Sequence, residues 1–131
     1  MAKASDNLGR LILVLNDVEE TRDGIEELLK GDGYCVDPAR SEQEAVTKGR
    51  RRSPDLILVS GSGIYLVEVA CRVREQAQLS QSVPVVIFCI ETIAEGAEIE
   101  IDRNVYATRP DNFDQLRALI QRLLNQSATI G

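Results

Sequence analysis

Leu56-Ile57-Leu58-Val59-Ser60-Gly61-Ser62-Gly63 joins four consecutive apolar residues to a serine–glycine turn. A continuous apolar run of strand length predicts a β-strand covered on both faces, as in a parallel sheet. The glycines after it predict a tight reversal into a helix. Leu11–Leu15 and Val85–Cys89 read the same way, the second after Pro84. Tyr34–Asp37, ended by Pro38, and Val105–Ala107 add two shorter strands.

Helical patterns fill the gaps. Val18, Ile25, Leu28 and Leu29 recur at helical spacing, with Asn16 or Asp17 as cap and Gly31-Asp32-Gly33 as stop. Ser41-Glu42-Gln43-Glu44 is a capping-box pattern that opens a second helix, ended by Gly49 and Arg50-Arg51-Arg52. Ile64–Gln76 predicts a third. Asp111 or Asn112 caps a last helix, with Phe113, Leu116, Leu119, Ile120 and Leu123 on its inner side. Glu91–Asp102 is acidic, contains Gly96 and has no clear apolar stripe.

Strands alternating with helices over short connections predict an α/β fold. The expected architecture is a flavodoxin-like, doubly wound, five-stranded parallel sheet of order 2-1-3-4-5, with helices on both faces. One domain is expected over residues 10–125, with flexible tails at 1–9 and 126–131. The topological switch point lies between strands 1 and 3. It gathers Asn16, Asp17, Ser60 and the loop Gly61-Ser62-Gly63, with Cys89 and Arg109 on the same rim.

Composition narrows the function. The 131 residues are 44% apolar and 27% charged, with a net charge of −6. That sign argues against nonspecific binding to nucleic acid or anionic membranes. The chain has no histidine, and its three cysteines, Cys35, Cys71 and Cys89, form no Cys-x-x-Cys pair. Zinc-site spacings and histidine general-base mechanisms are thereby removed. No apolar stretch approaches a membrane span and no signal-peptide core is present, so a cytoplasmic protein with reduced thiols is expected.

From Leu11 to Leu124 the sequence resembles the response regulator receiver domain, the CheY-like family. The resemblance is carried by Leu11–Asp17, Gly33-Tyr34-Cys35-Val36, Pro54–Val59, Pro84–Phe88 and Tyr106-Ala107-Thr108-Arg109-Pro110, in that order and spacing. It implies an acidic pair after strand 1, a phosphoacceptor aspartate after strand 3, a Thr or Ser after strand 4 and a Lys-Pro after strand 5. These positions hold Asn16-Asp17, Ser60, Cys89 and Arg109-Pro110. Asp55, five residues before Ser60, is not a substitute acceptor. The loop after Ser60 and the segment before Val105 are both shorter than the family's. Tyr106 stands at the family's aromatic switch position.

The resemblance therefore implies a degenerate receiver of two-component signalling, acting through protein contacts and lacking enzyme activity. No cofactor is expected, and Asp17 alone is a weak metal candidate. Arg109 is expected to pair with Asp17 instead. The expected partner is a signalling protein docking on Glu91–Asp102, Tyr106 and the last helix, the face on which a homodimer would also form. The alternative is a small-ligand or anion-binding module, in which the Ser60–Gly63 backbone forms an anion nest.

Overall fold

The computed structural model describes residues 9–61, 65–88, 94, 96–109 and 113–130, with side chains described through residue 125. Strands β1 (Leu11–Leu15), β2 (Cys35–Ala39), β3 (Leu56–Ser60), β4 (Val85–Phe88), β5 (Glu98–Asp102) and β6 (Val105–Thr108) form one sheet of order β2-β1-β3-β4-β6-β5. Five of them run parallel in the expected order. β5 is an addition, paired antiparallel to β6 at the sheet edge.

Helices α1 (Glu19–Gly31), α2 (Glu42–Arg51), α3 (Leu66–Gln76) and α4 (Phe113–Ile130) cover the sheet from both sides. Ile25 and Leu29 of α1 and Leu116, Leu119, Ile120 and Leu123 of α4 pack with Ile12, Val14, Leu56 and Leu58 on one face. Ala45 of α2 and Ala70 and Val73 of α3 pack with Leu13, Leu15, Ile57 and Val59 on the other. The two faces of β1 and β3 are thus both buried, which is why their sequences are continuously apolar. No helix of the described residues is long and apolar enough to cross a membrane.

Four local details depart from expectation. β2 continues through Pro38 to Ala39. The Asn16 N–H donates to the Ala39 carbonyl, so alternation turns Pro38 away from β1, where its missing N–H costs no ladder bond. Gly49 lies inside α2 and does not end it. A Cβ at Gly49 would stand 3.0 Å from Ala77 Cβ, so the glycine serves close approach of α2 to the end of α3. α4 continues to Ile130, five residues past the boundary expected at residue 125.

The fourth detail is the segment 98–102, whose Glu-Ile-Glu-Ile alternation has the two-residue period of a strand. Arg103-Asn104 turns it back into β6, with Asn104 in the left-handed region at φ 58°. The Asn104 side chain donates to the Gln81 and Ser82 carbonyls at 3.2 and 2.9 Å. That turn is thereby anchored to the approach of β4.

Candidate functional site

The carboxyl ends of β1 and β3 meet where a parallel sheet opens its switch point. Asn16 follows β1 and Ser60 ends β3, and both are buried, at 3% and 4% exposure. Asn16 Nδ2 donates to Ser60 Oγ at 2.5 Å, and Asn16 Oδ1 accepts the Val18 N–H at 2.7 Å. One amide side chain thus closes the β1–β3 tip and forms a local turn ahead of α1, whose N-cap is Val18. The expected cap from Asn16 or Asp17 does not form: Val18 holds the N-cap position without a side-chain cap bond, and Asp17 makes none of the described bonds. Arg22, one turn into α1, donates to the Asn16 carbonyl at 2.8 Å.

The pair is neutral and self-satisfied. No buried side-chain N or O among the described residues lacks a hydrogen-bond partner. A hard divalent cation needs anionic or carbonyl oxygens turned toward it. Here the Asn16 oxygen faces the Val18 N–H and its amide nitrogen donates to Ser60. The residues present therefore do not fit the Mg²⁺ that the resemblance implies at this position.

Asp17 is exposed and takes part in none of the salt bridges among the described residues. The expected Asp17–Arg109 pair does not form. β1 and β6 are separated by β3 and β4, about 14 Å at the usual strand spacing, and Arg109 is exposed. The backbone of Arg109 serves the hairpin instead: its N–H donates to the Ala97 carbonyl at 3.1 Å and its carbonyl accepts the Gly96 N–H. Asp55 precedes β3 at the opposite end of the sheet, where its carboxylate accepts the Leu11 N–H at 2.7 Å. Cys89, Ser62, Gly63 and Glu91 lie outside the described residues; Gly61 follows Ser60 with φ 151°.

A cavity of about 360 Å³ opens beside the pair, between β1, β3 and the starts of α2 and α3. Asn16, Asp17, Arg40, Ser41, Glu42 and Ser60 supply its polar wall, and Leu15, Val59, Leu66 and Val69 its apolar wall. Ser41 Oγ accepts the Glu44 N–H at 3.1 Å, as the capping-box pattern predicts. Glu44 Oε1 accepts the Arg40 N–H at 2.7 Å, which holds the Glu44 carboxyl below its ordinary range. Arg72 of α3 grips Glu42 with two hydrogen bonds, at 2.6 and 2.9 Å, and lowers its pKa likewise. Arg72 carries no signal in the sequence, because its grip on Glu42 depends on α2 and α3 lying side by side.

Tyr106 is half-buried against the core beneath α1 and α4, and its hydroxyl donates to Asn104 Oδ1 at 3.3 Å. Burial and the neighbouring Glu100 carboxylate raise its pKa. Glu98 accepts Arg122 of α4 at 3.0 Å, and Gln115 of α4 donates to the Gly96 carbonyl at 2.7 Å. Thr108 is fully buried and donates to the Ala97 carbonyl at 3.0 Å. Of the expected Glu91–Asp102 segment, the described residues 96–102 contact β6, which carries Tyr106, and α4. Residues 98–102 do so as strand β5.

No family model and no curated protein matches the chain. Solved structures do. The response regulator TrrA from Thermotoga maritima, in complex with Mg²⁺–BeF, is 24% identical with a TM-score of 0.65, covering 87% of this chain and 98% of that one. TrrA in complex with the histidine kinase ThkA is 23% identical with a TM-score of 0.68, covering 88% and 98%. The chemotaxis protein CheY4 from Vibrio cholerae is 22% identical with a TM-score of 0.66, covering 87% and 98%. At these identities the likeness carries architecture, and the architecture is unambiguous in strand order and extent: the chain has the CheY-like fold of response regulator receiver domains.

Proposed function

We propose that this chain is a pseudo-receiver of two-component signalling, cytoplasmic, without a catalytic step of its own, and acting by contact with a protein partner. The observation that carries the reading is the Asn16–Ser60 hydrogen bond. A receiver's phosphoryl chemistry needs carboxylates around the acceptor, to take the group and to hold the cation. Here an amide and a hydroxyl occupy the two buried positions, and a hydrogen bond joins them. Similarity to TrrA, which has been seen bound to a histidine kinase, supports a protein partner for the scaffold. The surface built from residues 96–102, Tyr106 and α4 is the docking face in this reading.

Beryllofluoride with Mg²⁺ tests it. Amide NMR spectra should stay unchanged at Asn16, Asp17, Ser60 and Tyr106 on addition. Saturable shifts confined to those residues would show a working acceptor and sink the reading.

A second reading draws support from the cavity beside Asn16, which sets Arg40 and Ser41 near the start of α2. In it the scaffold responds to a small ligand or anion. A thermal-shift screen with inorganic phosphate and nucleotides separates the two: stabilisation abolished by Arg40→Ala favours the ligand.

A further inference from the structure

β5 is the last strand of the sheet, and among the described residues nothing pairs with its outer edge. All five of its residues are exposed. The Arg109 N–H donates to the Ala97 carbonyl, so the alternation of an antiparallel ladder turns the backbone of Ile99 toward β6. The backbone groups of Glu98 and Glu100 then face outward. An open edge of this kind accepts another strand.

Side chains add chemistry to that edge. Ile99 lies opposite Ala107 and Glu100 opposite Tyr106, so the isoleucines and the glutamates occupy different faces. Glu98 and Glu100 share the α4 side, where Glu98 meets Arg122. Ile99 and Ile101 are 43% and 41% exposed. Acidic residues on an edge strand protect it against self-pairing. Protection alone does not account for two exposed isoleucines between them.

We propose that β5 is a β-augmentation site for an extended partner segment in which basic residues alternate with apolar ones. This deepens the docking role proposed above by naming what docks. Partner amides would pair with the outward groups of Glu98 and Glu100. Its lysines or arginines would lie opposite those glutamates, and its apolar side chains would cover Ile99 and Ile101. A second copy of the chain fails the same test. Antiparallel self-pairing that aligns the isoleucines sets glutamate against glutamate, and like charges directly opposite destabilise. The bulge between Glu100 and Asp102 ends the regular edge, so the paired stretch is short and affinity depends on these few side chains.

A soluble peptide, Thr-Lys-Val-Lys-Val-Lys-Thr, with blocked ends, is the probe. Titrated into the full chain at low salt, it should shift the amides of residues 97–101 and slow hydrogen exchange at Glu98 and Glu100. Replacing its lysines by threonine should weaken binding about tenfold, a gap that high salt closes. Methylating the alternate peptide nitrogens that face β5 should abolish binding while keeping every charge. Glu100→Lys should reverse the preference toward a peptide with glutamate in place of lysine. Equal binding by the methylated peptide, shifts mapping elsewhere, no binding, or concentration-dependent self-association through β5 would each overturn the proposal. No phosphodonor enters this experiment, so its failure leaves the beryllofluoride result standing, and a phosphoryl response at Ser60 leaves the edge measurement standing.

Discussion

Asn16 shows how much one atom changes at a switch point. Its Nδ2 supplies the donor that a carboxylate lacks, and that donor is what satisfies Ser60. Ser60→Asp would place a carboxylate where Nδ2 can still donate, so the single variant should fold yet bind Mg²⁺ only weakly. Adding Asn16→Asp keeps an acceptor for the Val18 N–H, because an Asp side chain accepts from the backbone two residues on as Asn does. The two carboxylates would then share one cation. Calorimetry should give a coupling of about 1 kcal/mol or more between the sites, as for groups in direct contact. Equal Mg²⁺ affinity for the single and double variants would mean that the neutral pair is not what silences the pocket. The nature of Asn16 and Ser60 was legible in the sequence through the family pattern. Their mutual hydrogen bond was not, because 44 residues separate them.

At the scale of elements, the β5–β6 hairpin is the feature that distinguishes this sheet from five parallel strands. Its Glu-Ile-Glu-Ile-Asp pattern and the following Asn104 carried a strand-and-turn signal. Its period of two leaves no helical stripe. Asn104 holds the turn in three ways. It accepts a positive φ, it donates to two carbonyls ahead of β4, and its own carbonyl accepts the Val85 N–H at 2.9 Å. Asn104→Ala should lower stability by about 1–3 kcal/mol through the left-handed backbone and the lost side-chain donors. Asn104→Gly keeps the backbone freedom and should recover part of that loss. Urea unfolding of the three proteins measures the order; an alanine variant as stable as the parent would show that the turn is held by other contacts.

For the whole molecule, the absence of histidine has a measurable consequence. Glu42 and Glu44 have pKa values below their ordinary 4.5 in the folded state, through Arg72 and the Arg40 N–H respectively. A depressed carboxyl contributes stability above its unfolded pKa and loses it as pH falls through the folded value. The acid limb therefore begins below pH 4.5. Cys71 and Tyr34 are raised above 9.0 and 10.0, first of all by burial. Their contribution is complete below those values and is lost as pH rises through the folded ones. Stability should be flat from about pH 5 to pH 8, because nothing of histidine type titrates between the limbs. Urea midpoints across pH will check this, and Glu44→Gln, which keeps a capping acceptor, should flatten the acid limb. A midpoint that changes between pH 6 and 7 would contradict it.

The sequence by itself determined the five parallel strands and their order. Continuous apolar runs such as Leu56–Val59 bury only in a sheet covered on both sides, and short connections leave few ways to arrange them. It also determined that Asn16, Asp17 and Ser60 gather at one end, because they follow strands that are neighbours. Only the tertiary structure decided which of them touch. Asn16 reaches Ser60 across one strand spacing, whereas Asp17 and Arg109 are three spacings apart and remain unjoined. Only the tertiary structure placed β5 beyond β6, with nothing among the described residues paired to its outer edge. A strand's local pattern specifies its two faces, but which neighbour it pairs with, and which edge it leaves bare, follows from the packing of the whole chain.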